Sequence, residues 1–84
     1  MKIHEIKLHE HFASDVLNGS KNFEVRLNDR GYQTGDEVRF TVVDKHGDRI
    51  YHVLDDKTFK ITYVLSGWGI EQGYVVFGIK DKRS

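Results

Sequence analysis

The chain has no cysteine and no proline, and its net charge is zero. Each absence removes a class of explanation. Without cysteine there is neither a disulfide framework nor a thiolate metal site, and the fold rests on its core alone. Without proline, no segment is barred from a central strand position. Thirteen basic residues cancel thirteen acidic ones, whereas a nonspecific polyanion binder usually carries a basic excess. The first thirty residues balance in the same way: Lys2, Lys7, Lys21, Arg26 and Arg30 stand against Glu5, Glu10, Asp15, Glu24 and Asp29. Any nucleic-acid contact must therefore be local, which favours a pocket over a broad charged surface. Long apolar runs are also missing: nothing approaches the ~18 residues a membrane span needs. The opening Met1-Lys2-Ile3-His4-Glu5 does not read as an export signal. A cytoplasmic protein without a membrane partner is the expectation.

What is present is enough for one core. Hydrophobic residues make up 38% of the 84, among them five phenylalanines, four tyrosines and one tryptophan. That length and composition predict a single folded domain over residues 1–84. The pattern is one of short alternating segments. Residues 2–8 alternate with His4, Ile6 and Leu8 on one face, and read as a strand. Phe12, Val16 and Leu17 then fall at helical spacing, and Asn18-Gly19 is a stop signal, so a helix is predicted over 9–18. Residues 22–27 alternate again, with Phe23, Val25 and Leu27 expected inward and Glu24 and Arg26 outward. Two glycines mark 28–36 as a loop. Strands are read at 37–44 (Val38, Phe40, Val42 inward) and, after a turn at 45–48, at 49–54 as its hairpin partner. Two more follow at 58–65 (Phe59, Ile61, Tyr63, Leu65 on one side) and 74–79 (Val75, Phe77, Ile79), separated by a glycine-rich loop containing Trp68. Six strands with one helix predict a small, mainly β barrel with mixed α+β character. Its predicted core is Ile6, Leu8, Phe12, Val16, Leu17, Phe23, Val25, Val38, Phe40, Val42, Ile61, Tyr63, Val75 and Phe77.

Chemistry concentrates in "GSKNFEVR" (19–26). Glu24 and Arg26 lie two apart on a strand, about 6.6 Å along the backbone and on one face. Such a pair is either a rim ion pair or a recognition element, in which the guanidinium meets phosphate or a base edge and the carboxylate orients it. Lys21, beyond the helix end, can complement the helix dipole. It can also contact an anion, or act as base or nucleophile if neighbouring cations lower its pKa, a shift Glu24 opposes. Lys7 and Arg30 are further cations in reach. Trp68 can stack a base or cap the open barrel end. His9 and His11 face different sides of a helix, and no HExxH spacing or His/Cys cluster occurs, so no metal or cofactor is expected.

The stretch Gly19-x-Lys21-x-x-Glu24-x-Arg26 resembles the signature of the ASCH domain, a branch of the PUA-like superfamily of small β-barrels. The blocks around it, "VLNGSKNFEVRLNDRGYQTGD" and "ITYVLSGWGIEQGYVVFGI", look like one group of small bacterial and phage proteins, and the likeness spans nearly the whole chain. The resemblance implies a barrel with a cleft beside its helix, lined here by Lys21, Glu24 and Arg26. It also implies binding of RNA or a nucleotide-like ligand. Some members are enzymes, a ribonuclease and an amidohydrolase of acetylated cytidine among them. The latter uses a lysine matching Lys21, with a threonine where this chain has Glu24. The expected function is thus an RNA- or nucleotide-binding module using Lys7, Lys21, Glu24, Arg26, Arg30 and Trp68. The alternatives are a small hydrolase with Lys21 and Glu24 as acid/base pair, or a protein-interaction module.

Overall fold

In the computed structural model, which describes residues 1–83, five strands form one curled sheet, a half-barrel with a single α-helix. The strands are β1 (Ile3–His9), β2 (Phe23–Leu27), β3 (Glu37–Val43), β4 (Phe59–Leu65) and β5 (Tyr74–Asp81), and the helix α1 is Glu10–Asn18. Their order across the sheet is β1-β3-β4-β5-β2. β1 runs parallel to β3, and the other pairings are antiparallel. The first two strands in sequence are therefore the two edges of the sheet, and they face one another across an open seam.

The helix begins where His9 caps it: the His9 ring Nδ1 accepts from the backbone N–H of His11 at 3.0 Å. It ends at Gly19, whose φ of +85° is the left-handed cap that glycine adopts at least cost. Ala13 and Val16 are the residues it buries. Phe12 and Leu17, expected in the core, are 42% and 38% exposed. A nine-residue helix lying on the sheet needs only a narrow stripe, and the small Ala13 lets it approach closely.

The core holds Ile6, Leu8, Val16, Val38, Phe40, Val42, Ile61, Val75 and Phe77, as the alternation predicted, together with Ala13, Tyr32, Leu54, Phe59 and Ile79. The expected inward face of β2 is wrong. Phe23, Val25 and Leu27 are 44%, 53% and 51% exposed, and Glu24 is 2% exposed. The pairing explains it. Directly opposed residues of an antiparallel pair share a face. Glu24 lies opposite Phe77 and Arg26 opposite Val75, while Phe23 meets Gly78 and Leu27 meets Tyr74. The fully apolar set of β5 must be inside, so the polar set of β2 goes in with it.

A bulge changes the face of β4. Register slips between Ile61 and Tyr63, so Ile61 is buried whereas Tyr63 is 66% exposed and Val64 turns toward the core. Gly78 sits beside the bulge, and a Cβ there would clash with the Thr62 hydroxyl. Nor is there a strand at 49–54. Arg49 makes one isolated bridge to Val43, and Val53–Asp56 is a 3-10 turn. The expected turn at 45–48 does form, closed by Asp44, whose Oδ1 accepts from the N–H groups of His46 and Asp48. His52 and Asp55 then cap the 3-10 turn reciprocally, each side chain accepting from backbone near the other. That local solution delivers Leu54, fully buried, into the core.

A buried polar pair ties β1 to the loop before β3. His4 and Asp36 are each 5% exposed, and His4 Nε2 donates to Asp36 Oδ2 at 2.8 Å. Asp36 also accepts from the backbone N–H groups of Lys2 and Gln33. Burial works to raise the Asp36 pKa, but these hydrogen bonds outweigh it and hold the carboxyl below its usual value. A depressed folded pKa means stability present above the unfolded value of about 3.9 and lost as pH falls through the folded one. Asp36→Asn should cost about 1–3 kcal/mol near pH 7. Urea melts from pH 7 to 2 should show that deficit shrinking in acid as the wild type loses its advantage. A pH-independent gap would mean that the Asp36 charge adds nothing.

Candidate functional site

The seam between the edge strands is where the charged motif assembles. Glu24, inward on β2, has a side chain only 3% exposed. A carboxylate that deeply placed needs partners. It has two: Lys21 donates to Oε2, and Arg26 donates to Oε1 through Nη2 at 2.7 Å and Nε at 3.1 Å. The side chains of Lys21 and Arg26 are themselves 19% and 25% exposed.

Both cations also cap carbonyls. Lys21 Nζ donates to Phe23 O at 2.9 Å, and Arg26 Nη2 donates across the seam to Lys7 O on β1 at 2.7 Å. Arg26 thus latches one edge strand to the other, where the sheet itself leaves them unpaired. Lys21 Nζ lies 5.2 Å from the centre of the Phe12 ring and 5.1 Å from that of Phe23, a cation held over two aromatic faces. This is the use of Phe12 and Phe23 outside the core. Lys21 points to this cluster and not to the carbonyls that end α1.

Two depressions meet at the latch. The larger, about 660 Å³, lies between β1 and β2 and is lined by Lys7, Arg26, Arg30, Tyr32, Tyr74 and their neighbours. The smaller, about 410 Å³, lies beside α1 and includes Lys7, Phe12, Lys21, Glu24 and Arg26. Lys7, Val25 and Arg26 border both. Five of the six residues singled out from the sequence therefore come together: Lys7, Lys21, Glu24, Arg26 and Arg30. Trp68 does not line either depression. It is 91% exposed, so it does not cap the barrel, and it sits at a φ of +53° between two left-handed glycines. Its loop leads into Tyr74, at the groove's end of β5.

Tyr32 was missed from the sequence. It is 5% exposed, packs at tilted angles against both His4 and Phe77 with ring centres 4.7 Å apart, and still reaches the groove lining. Burial pushes its phenol above the usual value, against the pull of Arg30 and Arg26, so it stays a hydroxyl donor at neutral pH. The signal for it was an aromatic in an otherwise polar loop. The His4–Asp36 support was half visible: a histidine on the apolar face of 2–8 needs a buried partner.

The arrangement is that of a small curled β-sheet domain with a groove at its seam that carries Lys7, Arg26 and Arg30 against Glu5 and Asp29. The chain belongs to the family described as Domain of unknown function (DUF3850), whose model matches residues 3–79. It is also 51% identical over 37 residues to an uncharacterized 12.9 kDa protein in the GpA 3' region of Escherichia phage P2, a match covering 44% of this chain. The matched segment spans about a third (34%) of that relative's length. Among the described residues, no helix is long and apolar enough to cross a membrane.

Proposed function

We propose that this domain is an ASCH-type, PUA-like module that binds RNA or a nucleotide-like ligand in the seam groove. The observation that carries the reading is the presentation of Arg26. Its Nε and Nη2 are held by Glu24 and the Lys7 carbonyl, which leaves Nη1 as the unengaged donor at the border of both depressions. A guanidinium fixed on one edge is preorganised to donate from the other to a phosphate oxygen or base edge. Lys7 and Arg30 flank it in the larger groove, where Tyr74, 37% exposed, offers a ring surface against which a base can pack and the buried Tyr32 reaches the lining only at its margin. A volume of about 660 Å³ lies within the common range for small-ligand sites. Trp68, exposed on the adjoining loop, is a stacking surface for a flanking base.

The geometry favours binding over hydrolysis by Lys21. Its ammonium is shared between Glu24 and a carbonyl, so a lysine base would first have to leave a carboxylate.

With about three phosphate contacts to a single strand, log K should fall with log salt at a slope of about −2, and Arg30→Gln should reduce that slope by about 0.7. Fluorescence titration of an RNA oligonucleotide at several salt concentrations measures both. Lys21→Arg should retain binding. No affinity at low salt for a broad pool of oligonucleotides and nucleotides would remove the proposal. A product formed by the wild type and lost in a folded Lys21→Arg would put the hydrolase in its place, because guanidinium does not act as a base.

A further inference from the structure

A second cationic site lies away from the seam, on the outer face of β4 and β5. Register places Lys60 directly opposite Lys80. Directly opposed side chains in an antiparallel pair sit about 5 Å apart at Cβ, and like charges there are destabilising. Five other basic residues have a carboxylate partner: Lys21 and Arg26 with Glu24, Arg49 with Asp55, Lys57 with Asp81, and Lys82 with Glu37. Among the described residues, neither Lys60 nor Lys80 forms an ion pair.

The nearest carboxylates are already engaged. Glu37 is the neighbour of Lys60 on β3, but its Oε2 accepts from Lys82 Nζ at 2.9 Å. Asp81 accepts from Lys57 Nζ at 3.0 Å through one oxygen and from the Arg83 N–H through the other. Burial counts against the Asp81 carboxylate less than these bonds favour it, and its pKa is lowered. It therefore stays ionised and bound to its own partners.

The two lysines border a depression of about 440 Å³ that also takes in Thr34, Gly35, Thr62, Asp81 and Lys82. Its shape comes from the bulge at Thr62, opposite a glycine at position 78 that leaves room for the hydroxyl. Three lysines against one aspartate leave this depression two charges positive. The seam groove, with Lys7, Arg26 and Arg30 against Glu5 and Asp29, is only one charge positive. In a chain of zero net charge, the outer depression is thus the more cationic of the two. β4 is the middle strand of five, so this face lies across the curled sheet from the seam.

We propose that the Lys60/Lys80 depression is a second anion-binding site, taking a phosphate group whose charge relieves the repulsion between the two lysines. Two ammonium groups supply the attraction, and the Thr34 and Thr62 hydroxyls supply neutral donors. The phosphate comes either from inorganic phosphate or from a nucleic-acid backbone passing over the outer wall. The site does not depend on what the seam groove binds.

The test is an amide-resolved NMR titration of the full chain with inorganic phosphate in one arm and a single-stranded RNA oligonucleotide in the other. Wild type, Lys60→Gln/Lys80→Gln and Arg30→Gln are compared. We expect saturable shifts at Thr34, Gly35, Ile61 and Thr62 in the wild type, abolished by the double variant and kept in Arg30→Gln. If the oligonucleotide is the source, the wild-type slope should steepen from the seam's share of about −2 to about −3.5, and the double variant should take back about 1.4 of it, two phosphate contacts on a single strand. If inorganic phosphate saturates the site alone, the shifts should appear in that arm with no change of slope in the other. Absence of saturable shifts at these amides in both arms overturns the proposal, as does their persistence in the folded double variant. Lys80→Glu, which makes the cross-strand pair attractive, provides a second readout. It should raise the denaturation midpoint while eliminating the shifts, and an unchanged or lowered midpoint would show that there is no repulsion for an anion to relieve.

Discussion

Glu24→Ala should destabilise the domain by about 3 kcal/mol, at the lower end of the cost of breaking a buried ion pair. The carboxylate is almost wholly enclosed, and both oxygens accept from cations that are themselves four-fifths and three-quarters covered. Removing it leaves two charges in a partly buried position with no counter-charge. It also releases Arg26 from the geometry in which it bridges the edge strands to Lys7 O. Glu24→Gln should lose less, because the amide oxygen still accepts from one cation, although its NH₂ opposes the other. Urea denaturation midpoints of the two variants, measured at low and high salt, distinguish this from a surface pair. A loss of under about 1 kcal/mol that disappears in salt would mean that the cluster behaves as an exposed salt bridge. The same two proteins bear on the proposed function. If Glu24 acts by positioning Arg26, RNA affinity should fall in Glu24→Ala even though the site has become more positive. Tighter binding would mean that charge alone governs the groove.

Phe77→Ala should be the most damaging apolar substitution, at about 3–5 kcal/mol. Phe77 is fully buried, packs at a tilted angle against Tyr32 with ring centres 4.7 Å apart, and lies between Glu24 on β2 and Val64 on β4 in the sheet register. A domain of this size has only a few kcal/mol in reserve, so the alanine variant is expected to be largely unfolded at room temperature. Phe77→Leu keeps most of the volume and should remain folded with a loss of about 1–2 kcal/mol. Because Tyr32 rests on this ring, the leucine variant should also loosen the groove wall, seen as a change in Tyr32 side-chain NMR signals. Equal stability of Phe77→Ala and wild type would mean that the core lies elsewhere.

Both experiments turn on the pairing of β2 with β5, in which Glu24 lies opposite Phe77 and the inward face expected for β2 is reversed. In β2 the period-2 pattern was legible, and so was the choice between its two faces, apolar or charged. Local reasoning sends the apolar face inward, and here it does not. The reason is cooperative. β5 has a single apolar face, pairing ties β2 to it residue by residue, and Lys21 and Arg26 neutralise the one carboxylate that this forces inside. The first two lie outside the strand, and the third draws on Lys21, which precedes it. The bulge at Thr62 is similar: the alternation through Tyr63 is regular in sequence, and only the glycine across the ladder makes room for the slip.

What the sequence by itself determined was whatever depends on short-range chemistry. The α1 stop at Asn18-Gly19 was readable because a left-handed cap favours glycine. So were the buried faces of β1, β3 and β5, whose alternating apolar residues permit only one inward choice. The motif residues were readable as a group because their types and spacing are local. What the tertiary structure decided was which strands became edges, that Lys7 and Arg26 meet across a seam nineteen residues apart in sequence, and that His4 finds Asp36 thirty-two residues away. It also decided that 49–54 serves the core through Leu54 in a capped turn and not through a strand. Each of these is a long-range closure, and its energy comes from desolvating and pairing groups that no local window contains.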